Sequence, residues 1–228
     1  MTKSLLERFD VQIAIFSAMG ITATMAAPQQ EAEAADYVYY QPNGGAGWVV
    51  PADAGNIGLY INVETGVAGT SDGDVPGWDL NPYGDVMLNW FRNDTSGAFY
   101  MYYPGVTTGF DVGNLAVGTT VGSSADFITS SNTSNTFFGP NPGEWLLNSP
   151  NYVGFSFVAA DTAVHYGWLR IDVGAAVTVR TIMEVGYSAI PGQSVQVGVV
   201  PEPSTVIMGL LASGATGVIA WRRRIHSA

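Results

Sequence analysis

The chain has 228 residues and a formal net charge of −11, from eight basic and nineteen acidic residues, with no cysteine. The missing cysteine excludes a disulfide framework, thiolate zinc sites and a thiol nucleophile, so stability must come from packing. Between residues 36 and 199 only Arg92, Arg170 and Arg180 stand against fourteen acids, a field that repels phosphate backbones and argues against nucleic acid as a partner.

Residues 1–27 read as a secretory signal peptide with a helical apolar centre. Lys3 and Arg8 precede a mostly apolar stretch from Val11 to Met25, and Ala23, Ala26 and Ala27 supply small residues for cleavage. A second cleavage choice lies at Ala34 or Ala35, and the residues do not choose between the two. An uncleaved anchor helix is the alternative, and either reading exports the body of the chain.

From Tyr37 to Val199 the chain becomes short runs of β-branched and aromatic residues broken by glycine, asparagine, proline and serine. Strands are expected over Ile57–Val63, Val86–Phe91, Ala98–Tyr103, Tyr152–Val158, Tyr166–Val173, Val177–Val185 and Ser194–Val199. Turn signals such as Asn43-Gly44-Gly45, Asn81-Pro82 and Pro191-Gly192 recur about every ten residues, the spacing of an antiparallel β-sandwich, jelly-roll-like, over residues 36–199. The plainest hairpin is Tyr152 to Val173. Val153, Phe155 and Phe157 alternate on one strand and Leu169, Ile171 and Val173 on the other, turning at Ala160–Ala163, and all six belong in the core. Arg170, on the opposite face, is expected over an aromatic ring or against an acid of a neighbouring strand. Thr119 to Asn148, rich in Ser, Thr, Asn, Gly and Pro, reads as long loops too polar to supply much core.

Several residues of this body invite chemistry. Asp72, Asp74, Asp79 and Asp85 crowd a glycine-rich segment and form a candidate calcium site, since hard cations take carboxylate and carbonyl oxygens from irregular backbone. The spacing is not an EF-hand, because Tyr83 stands where the twelfth-position glutamate belongs. Gly69-Thr70-Ser71-Asp72-Gly73 has the letters of a nucleophile elbow and His165 comes after it in the chain, but Asp74-Val75-Pro76-Gly77 cannot continue as the helix that the elbow needs. The body glutamates Glu64, Glu144 and Glu184 stand in no motif for glycoside cleavage. No catalytic residue is assigned. Trp48, Trp78, Trp90, Trp145 and Trp168, with Tyr37, Tyr39, Tyr40, Tyr100, Tyr102 and Tyr103, either fill a two-sheet core or form a platform for sugar rings.

The last stretch, residues 200–228, is of another kind. Pro201-Glu202-Pro203 holds an extended, exposed segment. Thr205 to Trp221 then carries no Asp, Glu, Lys or Arg. As a helix, Ser204–Trp221 would span about 27 Å, near the thickness of a thin bilayer. Arg222, Arg223 and Arg224 keep the tail, residues 222–228, cytoplasmic and the body outside.

Together these residues resemble the PEP-CTERM domain of bacterial exported proteins. The resemblance covers about the last twenty-eight residues and implies recognition by exosortase, a membrane-embedded cysteine transpeptidase. Carried over, Pro201, Glu202 and Pro203 would be the sorting motif, 204–221 the transmembrane helix and Arg222–Arg224 the stop signal. A looser resemblance to PEP-CTERM bodies lies in Phe155–Phe157 followed by His165–Arg170, and it names no activity. The expectation is an exported, non-enzymatic protein of the cell surface or exopolysaccharide matrix, passing through the inner membrane. The alternative is a lectin-like module for matrix polysaccharide, with calcium as its only conceivable cofactor.

Overall fold

The computed structural model describes residues 36–53, 55 and 57–200. The expected signal peptide, the Pro201–Pro203 motif, the 204–221 helix and the arginine cluster lie outside the described residues. The strands are β1 (Tyr37–Tyr40), β2 (Trp48–Val49), β3 (Tyr60–Asn62), β4 (Val67–Gly69), β5 (Leu80–Tyr83), β6 (Asn89–Arg92), β7 (Phe99–Tyr100), β8 (Thr120–Val121), β9 (Thr133–Asn135), β10 (Ser149–Val158), β11 (Val164–Val173), β12 (Arg180–Ser188) and β13 (Val195–Gln196). The only helical pieces among the described residues are two short 3-10 turns, Pro42–Gly45 and Asp72–Asp74. None of them is long and apolar enough to cross a membrane.

The fold is therefore mostly β, in antiparallel sheets. The first sheet runs β1-β12-β11-β10-β7, with β2 also pairing β12; the second runs β4-β3-β5-β6-β9; and β13 pairs β8. The central hairpin is longer than its alternating pattern indicates, with β10 and β11 in continuous register from Ser149↔Val173 to Val158↔Val164. Its six expected core residues are all at most 2% exposed. They meet Ile61, Leu80 and Trp90 of the second sheet in one apolar cluster, which removes both inner faces from water at roughly 25 cal/mol per Å².

The first sheet is covered on its other face as well. Tyr166 and Trp168 of β11 pack with Met101, Leu115, Val121, Val195 and Val197 in a second cluster. Glycine makes room for this layer. Gly154 and Gly186 stand in register on either side of Trp168. A Cβ at Gly154 would meet Val121 at 2.8 Å and Leu115 at 2.9 Å, and one at Gly186 would meet the indole at 3.0 Å.

Thr119–Asn148 supplies more core than its polarity suggests. Val121, Ile128 and Trp145 are all fully buried, and Trp145 Nε1 donates to Val112 O at 2.8 Å. Sparse apolar residues, each inserted singly, anchor a polar segment here. The expected strand from Val177 starts only at Arg180, because Val179 is held in a turn by Ala176 O and Gly174. Arg180 also bridges the sheets. Its guanidinium, 1% exposed, donates to Pro51 O at 2.6 Å, Met87 O at 3.0 Å and Gly84 O. Burial without a bonded carboxylate lowers its pKa to about 10.

Candidate functional site

The residues singled out for chemistry are engaged in holding turns and strands. Asp72 Oδ1 accepts the Gly73 N–H at 2.8 Å, and Asp85 Oδ1 accepts that of Val86 at 2.6 Å. Asp79 is instead buried, with Oδ2 accepting the Val63 N–H at 2.9 Å. Among the described residues no three His, Asp or Glu side chains gather where they would hold a metal ion. Ser71 precedes a single 3-10 turn that ends at Val75. His165, 3% exposed, places Nδ1 2.8 Å from Ser188 O and Nε2 3.1 Å from Asp161 Oδ2, so both ring nitrogens are occupied, one by β12 and the other by the hairpin turn. The Asp161 carboxyl is held below its usual range, first by the Ala163 N–H and further by this histidine.

The glutamates are likewise used. Glu64 Oε2 caps the hairpin turn by accepting the Ala160 N–H at 2.9 Å. Glu144 accepts both the N–H and the amide of Asn141, which lowers its pKa. Glu184 receives Arg170 at 2.8 Å while Asp172 receives it at 2.9 Å, so Arg170 is paired with an acid on the neighbouring strand. Arg92 pairs with Asp94 at 2.9 Å and lies 4.3 Å from the Phe99 ring centre.

Two surface features gather residues that lie far apart in the sequence. A cleft of about 280 Å³ opens where the ends of both sheets meet, with Asn62, Glu64, Asp79, Asn93, Ser96 and Phe157 on its walls. Burial raises the pKa of Asp79 there to about 6, despite the opposing Val63 N–H. The other feature is the outer face of the second sheet. Strand alternation puts Tyr60, Asn62, Val67, Tyr83, Asn89, Phe91, Thr133 and Asn135 outward, with Asn81 on the same side but only 3% exposed beneath Gly58, while Ile61, Leu80, Trp90 and Ser134 face the core. Trp78 packs on that outer face, 5.0 Å from Tyr60 and 5.8 Å from Phe91 between ring centres. Its four fellow tryptophans of the body are buried.

The body's hydrogen bonding continues up to the start of the C-terminal stretch. Val197 N–H donates to Thr119 O at 2.9 Å, and Val199 O accepts from the Tyr37 hydroxyl at 3.1 Å. Residues 199–224 match the family model of the PEP-CTERM protein-sorting motif. This chain carries a PEP-CTERM sorting domain. The matched stretch overlaps the described body at Val199 and Val200. A PEP-CTERM motif is an exosortase recognition signal, so exosortase is the processing partner, and the route is membrane-anchored transit followed by export to the surface. No curated protein and no solved structure matches the chain. What the PEP-CTERM domain delivers is therefore read from the body itself.

Proposed function

We propose that this is a non-enzymatic protein of the cell surface or exopolysaccharide matrix, whose β-sandwich body is exported behind a signal peptide and released from the inner membrane by exosortase. The observation that carries the reading is the PEP-CTERM match at residues 199–224, at the C-terminal end of a self-contained β body. In this reading the 204–221 run retains the chain in the membrane with its C-terminus cytoplasmic. Each of Arg222–Arg224 opposes translocation by roughly 2.5 to 3.5 kcal/mol at mid-membrane. Pro201, Glu202 and Pro203 present the cut site at the interface. Two sheets sharing one apolar cluster support the sandwich.

The test is the mass of the mature protein from cells with and without the sorting enzyme, together with a variant replacing Pro201, Glu202 and Pro203. An uncleaved membrane form is expected in both altered cases. Normal processing of the variant would defeat the assignment of the motif residues.

A second reading, a lectin-like module for matrix polysaccharide, is favoured by the uncharged aromatic face of the second sheet. Calcium dependence within that reading is checked by titrating the full chain with calcium. No heat and no rise in melting temperature would remove it.

A further inference from the structure

Four observations converge on the outer face of the second sheet. The strand registers align Gly69, Tyr60, Asn81, Phe91 and Thr133 in one row across β4, β3, β5, β6 and β9. Trp78 lies against the two rings of that row, nearly perpendicular to Tyr60 at 77° and inclined to Phe91 at 33°. All three side chains are only half-buried, so part of each remains in contact with solvent. Every outward position of these five strands is uncharged, in a protein of net charge −11. Beside the rings stand amides, Asn89 and Asn135 directly opposite each other at the β6–β9 pair, with Asn89 Oδ1 itself buried and without a partner.

This combination selects among ligands. A phosphorylated or uronic-acid polymer would find no cation here, because Arg92 is committed to Asp94 and the Phe99 ring, Arg170 to Asp172 and Glu184, and Arg180 to backbone carbonyls. A purely apolar partner would leave the amides without hydrogen bonds, which costs free energy on burial. An uncharged sugar chain satisfies both. Its C–H faces are weakly positive at the edge and pack on the negative face of an aromatic ring, while its hydroxyls donate to and accept from carboxamides. Of the row, Tyr60, Phe91 and Thr133, with Trp78 between the two rings, are the partly exposed members, since Gly69 lies under Val75 and Asp74 and Asn81 is buried; a line of open side chains suits an extended polymer better than a closed pocket would.

We propose that the outer face of β4-β3-β5-β6-β9 binds a neutral polysaccharide, with Trp78 as the central stacking residue between Tyr60 and Phe91. The proposal rests on the carbohydrate-module reading and names its site and the charge class of its ligand. It requires no metal.

The test is native electrophoresis of the full chain, in a zwitterionic detergent without a sugar head group, through gels containing dextran, a soluble β-1,4-glucan or a galactomannan, with alginate as the anionic polymer. Retardation by at least one neutral polymer and none by alginate is expected. Trp78→Ala should weaken that binding about tenfold, which corresponds to roughly 1.4 kcal/mol. Trp78→Phe should retain most of the binding, and Thr133→Asp, which adds a charge to the row, should weaken it without removing a ring. Val86→Ala, at a residue 73% exposed in the β5–β6 connection, should leave binding unchanged. If no neutral polymer retards the chain, the module reading and the site both fall. If retardation is unchanged in Trp78→Ala and Thr133→Asp, the site falls while the module reading stands. Retardation by alginate alone overturns the neutral-ligand assignment. Self-association on sedimentation that Trp78→Ala abolishes would give the face to a second copy and overturn the proposal as well.

Discussion

Trp168 Nε1 donates a 2.7 Å hydrogen bond to the Tyr37 hydroxyl, which in turn donates to Val199 O at 3.1 Å. One phenol therefore ties the first strand, the central hairpin and the turn that ends at Val199. Burial pushes the pKa of Tyr37 up to about 12, so this donor keeps its proton at physiological pH.

Tyr37→Phe should remove both bonds and leave the buried indole N–H of Trp168 without its acceptor. A loss of about 1–3 kcal/mol is expected for an orphaned buried donor. Urea unfolding of the full chain in detergent, followed by tryptophan fluorescence, measures it. The same experiment in Trp168→Phe tests whether the two effects overlap, as members of one network should.

Arg180→Met should be among the most damaging single changes. It strips Pro51 O, Met87 O and Gly84 O of their donor at the bridge between the sheets. Roughly 3 kcal/mol or more is expected from uncompensated buried carbonyls. Arg180→Lys should recover only part of it, because an ammonium cannot reproduce the planar fork. Thermal melting of both variants gives the comparison.

Asp79 sets a pH dependence whose sign comes from its raised pKa. Between the ordinary carboxyl value of 3.8 and about 6 the folded state holds the proton more tightly than the unfolded state, so this group lowers stability as pH rises through that window. Asp79→Asn keeps an acceptor for the Val63 N–H and removes the buried charge. The variant should be more stable than the parent by about 3 kcal/mol at pH 7, and the two should converge near pH 4. Equal stabilities at pH 7 would show that the carboxylate is not penalised by burial.

Thr162→Gly should stabilise the β10–β11 turn. Thr162 has φ 66°, a left-handed conformation that a β-branched residue resists. The turn is held there by Glu64 on Ala160 from outside and by Asp161 on Ala163 within it. Relief of about 1 kcal/mol is expected, read as a higher midpoint in urea. Glu64→Gln should lower the midpoint, since it weakens the bond that fixes Ala160.

Much of the hairpin was legible because its signal is local. Val153, Phe155 and Phe157 alternate with small or polar residues, and period-two alternation has one structural meaning. The pairing of Arg170 with an acid on the neighbouring strand was within reach for the same reason, once its face was known. β5 was not legible: Leu80-Asn81-Pro82-Tyr83 contains a proline and read as a turn signal, yet it is the middle strand of its sheet, between β3 and β6. β9, Thr133-Ser134-Asn135, has no apolar residue at all and is a strand only because β6 offers it a partner. Propensity for a strand is largely a statement about neighbours, and neighbours are not adjacent in sequence.

The sorting domain lies at the other extreme, since a contiguous uncharged run between a Pro-Glu-Pro segment and three arginines is read one residue after the next, and its meaning depends on transfer between water and lipid rather than on distant contacts. Sequence alone settled that this chain is addressed for export. Only the tertiary structure decided that four of the five body tryptophans are buried while Trp78 is left on an uncharged face, and that Asp79 turns inward while Asp72 and Asp74 stay in water. Those outcomes depend on which side of a strand each residue meets and on what covers it, and pairing register fixes both only after the sheets have assembled.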